Sequence, residues 1–259
     1  MSKDELYLRS GDTYELYVNG KRDNGHEIKV NVQGWTCSDT TIAKVDDNGW
    51  VRAVKEGICI ITAQTEDGHT ASCILNVYGV LTYNVTLPAD NEIWYTSVDS
   101  ETVELSSYPA QLVSNTYNNE KGVYTFSSSV NTIKGFDGNA KIESVIIPKT
   151  VTSIGSYSLH NLQYAHTLVL SPNISSVGTD AFGFLGDSLG DKQIKHIYFL
   201  SEQCPSTGWR VFWNCGNNIW IHYPKGADYS VIEQAAREWE DATHRDIFRM
   251  VETEYIYNQ

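Results

Sequence analysis

Through the first third of the chain, apolar and polar residues alternate in short runs, and the runs are cut by residues that tolerate positive φ. Tyr14 to Val18, Ile28 to Val32, Ile42 to Val45, Trp50 to Val54, Ile58 to Ala63 and Ala71 to Val77 carry the alternation. Asn19-Gly20, Asn24-Gly25, Asn48-Gly49 and Asp67-Gly68 supply turn dipeptides between them. Short runs of period two at regular spacing predict a β-sandwich over residues 1–79, with no long helix. The phase predicts its core. Cys59, Ile61 and Ala63 share one strand face, as do Ala71, Cys73, Leu75 and Val77, and these faces should meet Trp35, Val45 and Val51.

Beyond residue 80 the pattern is a repeat. Val151-Thr152-Ser153-Ile154-Gly155 returns as Ile174-Ser175-Ser176-Val177-Gly178 at an offset of 23 residues. The same offset carries Val145 and Ile147 onto Leu168 and Leu170, and Leu159 onto Phe182. An offset of 21 carries Tyr124, Phe126, Val130 and Ile133 onto Val145, Ile147, Val151 and Ile154. Such periods, with the forms Ile142-x-x-Val145-x-Ile147 and Ile194-x-x-Ile197-x-Phe199, mark leucine-rich repeats. One strand-turn unit cannot bury its apolar side alone, so units stack into a column. Five rungs are expected, with core pairs Tyr124/Phe126, Val145/Ile147, Leu168/Leu170, Ile197/Phe199 and Ile219/Ile221, and residues 186–191 read as an insertion within one repeat.

A column needs closed ends. Ser230 and Glu233 fit a capping box, and Ile232, Ala235, Ala236 and Trp239 form a helical stripe able to lid the last rung. At the other end, Ile93 to Ser97 and Thr102 to Leu105 read as a β-hairpin around Asp99-Ser100. The expected architecture is therefore mainly β. It comprises an immunoglobulin-like β-sandwich over 1–79 and a short leucine-rich-repeat solenoid with a C-terminal capping helix over 80–259.

Composition and charge narrow the function. Apolar residues make up 41% and charged residues 20%, the balance of a folded soluble protein, and 16 tyrosines and seven tryptophans suit both strands and recognition surfaces. The net charge of −13 is shared, as 8 basic against 12 acidic residues in 1–79 and 11 against 20 in 80–259. With no basic run to neutralise phosphates, nucleic acid is excluded as a partner. No stretch approaches the roughly 18–20 apolar residues of a membrane span. Met1-Ser2-Lys3-Asp4-Glu5 lacks the apolar core of a signal peptide, which leaves a cytoplasmic protein or a mature form. Cys37, Cys59, Cys73, Cys204 and Cys215 show no zinc spacing; Cys37, Cys59 and Cys73 fall on the apolar beat of strands and read as buried small hydrophobes, with Cys59–Cys73 or Cys204–Cys215 disulfides as the alternative.

Two resemblances follow from longer motifs. Trp35-Thr36-Cys37-Ser38-Asp39, Ile42-Ala43-Lys44-Val45-Asp46 and the run from Asn48 to Gly57 resemble a bacterial immunoglobulin-like domain of group 2 (BIG2), although Trp50 and Cys59 depart from its usual residues. The run Ile146 to Gly155 and Tyr223-Pro224-Lys225-Gly226-Ala227 resemble BspA-type leucine-rich repeats over roughly residues 115–240, with Trp209 to Cys215 departing from the usual small-residue turn. Both resemblances imply a secreted or cell-surface setting, a processed start, and roles as spacer and adhesion module. Trp50 is then either an exposed contact or a partly buried strand residue.

Between the core pairs, Thr125, Ile146, Val169, Tyr198 and Trp220 point to the outer face of the sheet, with Ser144, Thr167, His196 and Asn218 one step earlier. Ile146, Val169, Tyr198, Trp220 and His196 are the candidate ligand-binding residues, with Tyr198 and Trp220 as aromatic platforms for a sugar ring or a protein loop. The alternative is that this strip is covered by another part of the chain. No catalytic constellation emerges from His26, His69, His160, His166, His196, His222 and His244; Cys204 or Cys215 beside His196 would lack an orienting group. Asp46-Asp47-Asn48-Gly49 reads as a hairpin turn rather than a calcium loop. The expectation is a non-enzymatic interaction module without cofactor or metal, binding a protein or glycan. A carbohydrate-binding accessory protein and a structural spacer are the competing readings.

Overall fold

The computed structural model describes residues 1–21, 27–185, 195–243 and 247–258. It divides into two compact units, Met1–Leu81 and Thr82–Gln259. The Asn24-Gly25 turn and the insertion at residues 186–191 lie outside the described residues, as do His26 and His244.

The first unit holds β1 (Glu5–Arg9), β2 (Thr13–Glu15), β3 (Val18–Lys21), β4 (Glu27–Val30), β5 (Val32–Cys37), β6 (Ala43–Val45), β7 (Trp50–Ala53), β8 (Gly57–Thr65) and β9 (Thr70–Tyr78). They form sheets of order β1-β9-β8-β5, β2-β7-β6 and β3-β4. One apolar cluster draws Leu6, Leu8, Cys59, Ile61, Cys73, Leu75 and Val77 from the first sheet, and Ala43, Val51 and Ala53 from the second. The alternation in β8 sets Cys59, Ile61 and Ala63 inward, with Ile58 and Ile60 outward.

The expected run Tyr14 to Val18 is broken. Leu16 is fully buried, and its amide donates to the Gly49 carbonyl, so β2 and β3 join different sheets on either side of it. Ile28 to Val32 divides likewise between β4 and β5. Trp50 opens β7 at 49% exposure above the buried Val51. The Asp46 carboxylate accepts from the amides of Asn48 and Trp50, so Asp46 to Trp50 is a hairpin turn that uses its own acidic group. All five cysteines are thiols.

The second unit contains β10 (Leu81–Val85), β11 (Glu92–Ser97), β12 (Leu112–Asn118), β13 (Lys121–Phe126), β14 (Thr132–Ile133), β15 (Ile142–Ile146), β16 (Ser153–Ile154), β17 (Thr167–Leu170), β18 (Ser176–Val177), β19 (Lys195–Phe199), β20 (Ser206–Thr207), β21 (Ile219–Pro224), α1 (Ser230–Thr243) and β22 (Phe248–Tyr257). Nine strands make one sheet in the order β10-β22-β21-β19-β17-β15-β11-β13-β12, and the short β14-β16-β18-β20 make a second. From β15 to β22 adjacent strands of the large sheet are parallel, and Val145 lies beside Leu168. The short strands are parallel too, with Ile133, Ile154 and Val177 in register. Between the sheets run the buried Val145, Ile147, Leu168, Leu170, Ile197, Phe199, Ile219 and Ile221.

The ends differ from expectation. Residues 102–105 form no strand, because both edges of β11 are taken by antiparallel β13 and β15. Tyr124/Phe126 and Val145/Ile147 are thus separated by β11, although the short strands of the same two repeats are neighbours. The hairpin at this end is β12–β13, turning through Asn119 and Glu120 at φ 52° and 61°. Val103 is held by side chains instead: the Tyr95 hydroxyl accepts from its amide, and the Tyr124 hydroxyl and Asn115 amide donate to its carbonyl.

At the other end α1 buries Ile232 and Ala236 and rests Ala235 and Trp239 on the core, but the lid is not the last layer. β22 returns parallel to β21, a sixth rung whose alternation is diluted by Arg249, Glu252 and Glu254. The capping box is not used as expected. Asp228 accepts from the Ser230 amide at 2.9 Å, while the Glu233 carboxylate turns to Arg237. Hydrogen bonds from Ser230 hold the Asp228 carboxyl below its ordinary pKa.

Glycines set the spacing of the short strands. A methyl group on Gly178 would lie 2.4 Å from the Ser156 amide nitrogen, and one on Gly208 2.5 Å from that of Thr179. Only main-chain atoms are there to yield. Gly178→Ala is expected to lower the unfolding free energy by about 1–3 kcal/mol. Gly34→Ala, where a methyl meets nothing within 4 Å, should leave the urea midpoint nearly unchanged. Equal midpoints for the two variants would contradict this account.

Candidate functional site

The outer face of the parallel sheet presents two rows. Thr167, His196 and Trp220 are in register in one; Ile146, Val169, Tyr198 and His222 are in register in the other. Trp220 therefore sits beside His196 and not beside Tyr198, and the inward partner of Ile197 is Ile221. A slip of two residues preserves which face a side chain occupies, so alternation alone could not separate these registers. Thr125 stands apart on the antiparallel β13.

The second row is covered by the chain itself. Val169 is 1% exposed and lies in a cluster with Val85 and Leu200, against which Tyr83, Leu87, Ile146, Tyr198 and Tyr255 pack. Tyr83 stacks on Tyr198 with ring centroids 4.0 Å apart, and Tyr198 stacks in turn on His222 at 4.2 Å. Ile146 and Tyr198 are thereby half-buried. His196 and Trp220 are likewise half-buried beside this stack.

Beneath them lies a relay of neutral side chains. His196 Nδ1 is 2.9 Å from His222 Nε2, and His222 Nδ1 is 3.1 Å from the Thr253 hydroxyl. Burial, with His196 adding to it, lowers the His222 pKa from its ordinary 6.5 to about 3. Burial and the nearby His166 also lower that of His196. Both rings are then neutral at pH 7 and can share a hydrogen bond without charge. Cys215 is buried in the core with its thiol donating to the Phe182 carbonyl, and Cys204 packs on the same core, so neither thiol shares the outer face with His196. Among the described residues, no three His, Cys, Asp or Glu side chains are grouped to hold a metal ion.

A second surface escaped the sequence reading. The turns after β16, β18 and β20 are joined by backbone bonds, Tyr157 amide to Thr179 carbonyl, Leu159 to Ala181, Asp180 to Trp209 and Phe182 to Val211. Tyr157, Asp180, Phe184, Arg210 and Asn214 take positive φ in these turns, and the turns also carry exposed aromatic side chains. Tyr157 is 48% exposed and Trp209 62%. The Arg210 guanidinium lies 3.8 Å from the Trp209 ring centre and 4.4 Å from that of Trp213. His160 bonds Asp137 at 2.8 Å and contacts both Tyr157 and Phe184 edge-on. The signal was present: Trp209 to Cys215 is where the turn departs from the small residues of the BspA-type pattern.

The buried imidazoles make a pH prediction. In the unfolded chain His222 would protonate near its ordinary pKa, but in the folded chain only near pH 3. Its contribution to stability is therefore complete above about pH 6.5 and is lost as pH falls from there toward 3. In urea unfolding between pH 7 and pH 4, His222→Gln should reduce the fall in stability by up to about 1.4 kcal/mol per pH unit. Parallel profiles for the variant and the unaltered chain would show that His222 titrates alike folded and unfolded.

Comparison with known proteins places the repeats. Over 44 residues the chain is 41% identical to an uncharacterized protein of Clostridium acetobutylicum, a segment that is 17% of this chain and 5% of that protein. The structure of surface layer protein SbsC, domains 4–9, aligns at 17% identity with a TM-score of 0.26, over 49% of this chain and 26% of that one. The chain thus spans a small part of either relative. Residues 92–219 match the BspA type leucine rich repeat region in six copies. The matched residues run from β11 into the start of β21.

Proposed function

We propose that the protein is a non-catalytic interaction module, secreted or displayed on a bacterial surface. In this reading the repeats wind as a short solenoid and carry the recognition surface. The first unit is a BIG2-type immunoglobulin-like sandwich serving as spacer. The repeat family supports an interaction role, since stacked repeats offer a long regular surface. The observation that carries the reading is the outward aromatic edge of Tyr157, Phe184 and Trp209, with Arg210 against Trp209 and the half-buried Trp213. Trp, Tyr and Arg are the residues that most often dominate binding energy at protein interfaces.

This edge is favoured over the sheet face because Val169 and Tyr198 lie under Tyr83 and Val85. The half-open His196 and Trp220 form the second candidate patch. Adhesion to a protein on another cell is the expected activity; exposed aromatic rings also suit a glycan, the alternative ligand class.

The test is binding of the full chain to panels of surface proteins and glycans, with two double variants. Trp209→Ala with Phe184→Ala should weaken the strongest hit by about thirtyfold or more, a loss typical of two hot-spot side chains. Tyr198→Ala with Trp220→Ala should change it little. The reverse ranking would move the site to the sheet face. Insensitivity to both pairs, or the absence of any hit, would sink the proposal.

A further inference from the structure

Three thiols converge in the core of the first unit, and two of them meet. Cys59 and Cys73 are 2% and 0% exposed, and half-buried Cys37 packs on the same cluster. Cys37 pairs across the sheet with Ile61, and Ile61 pairs with Cys73 on its other side, so Cys59 lies two positions along β8 from both registers. The Cys37 Sγ is nevertheless 3.5 Å from the Cys59 Sγ.

Backbone bonds hold this approach beyond the end of the strand. The Ser38 amide donates to the Ile60 carbonyl at 2.9 Å, and the Ile60 amide donates to the Ser38 hydroxyl at 2.8 Å. The Cys37 thiol also points at the Asp39 carbonyl, 3.2 Å away, at the mouth of the turn. Cys37 is thus the reachable member of the pair and Cys59 the enclosed one. Burial, reinforced by the hydrogen bond with Cys37, pushes the Cys59 thiol up to about 12, so Cys59 is a poor first nucleophile.

We propose that Cys37 and Cys59 are an oxidation site, joined as a disulfide when the protein meets a disulfide oxidant, while Cys73, Cys204 and Cys215 stay as thiols. The Cys37 thiolate attacks one sulfur of the oxidant, forming a mixed disulfide and releasing one thiol. The Cys59 sulfur then loses its proton and attacks Cys37 Sγ, releasing the second thiol. The protein gives up two electrons and two protons, which the oxidant's disulfide takes up as two thiols. Closing the bond brings the sulfurs from 3.5 Å to bonding distance. The bond would tie β5 to β8 across the segment that carries β6 and β7. The inference stands independently of the proposed binding function.

The experiment oxidises the full folded chain with oxidised glutathione, traps remaining thiols under denaturing conditions and maps the peptides by mass. The expected result is a cross-linked peptide pair holding Cys37 and Cys59, lighter by about two hydrogens than the separate peptides. Three alkylated cysteines and a reductant-reversible rise in the urea midpoint should accompany it. Cys37→Ser should abolish the cross-link and the rise, whereas Cys73→Ser should retain both. Five alkylated cysteines after prolonged oxidation, or a Cys59–Cys73 pair in place of Cys37–Cys59, would overturn the proposal.

Discussion

The second unit depends on how closely one repeat can lie against the next. Three backbone ladders fix that distance together: the long parallel strands from β15 to β22, the two-residue strands from β14 to β20, and the turn bonds that run from Tyr157 to Val211. Strands so joined sit just under 5 Å apart, and no ladder can relax without straining the other two. Gly178 and Gly208 occur where main chain meets main chain with no room for a β-carbon. Once the spacing is set, equivalent side chains stack in columns. Leu159, Phe182 and Phe212 are all buried, and the last two rings lie parallel with centroids 5.4 Å apart.

Stacking solves the interior and leaves the ends open, and the two ends are finished by different means. On the amino-terminal side the parallel pattern is broken by antiparallel β11 and the β12–β13 hairpin. Tyr95 and Tyr124 fill the core there, ring against ring at 4.4 Å, and their hydroxyls satisfy backbone groups of Val103 that no strand reaches. On the carboxyl side a helix covers the core, and Glu240 near its end accepts from the amides of Ile247 and Phe248 where β22 begins. These bonds pair backbone groups that the strands and the helix leave open at each end.

The repeat was legible because one feature forced it: aliphatic positions recur where coils stack, so Val145 and Leu168, or Ile154 and Val177, could be aligned before any coordinates. The alternating faces of β8 and β9 were legible because successive strand residues point to opposite faces. Four things were not. The place of β11 between β13 and β15 is a choice of partner, and period-two patterns are silent on partners. The register of β21 differed by two residues, which leaves every side chain on its own face. The cover over Val169 comes from Tyr83, Val85, Leu200 and Tyr255, some of them distant in sequence, so alternation alone could not decide between an open strip and a covered one. The outward aromatic edge was missed because its side chains sit in turns, where strand alternation does not apply.

Arg210 shows what that turn geometry provides. A surface arginine ordinarily samples many rotamers, and holding it against a partner costs about 0.5–1.5 kcal/mol in lost freedom. The Arg210 guanidinium lies 3.8 and 4.4 Å from the Trp209 and Trp213 ring centres, and Trp213 packs on Trp239 at 4.6 Å. These contacts offset part of that cost before any partner arrives, and they display a positive charge on a molecule that is otherwise strongly acidic.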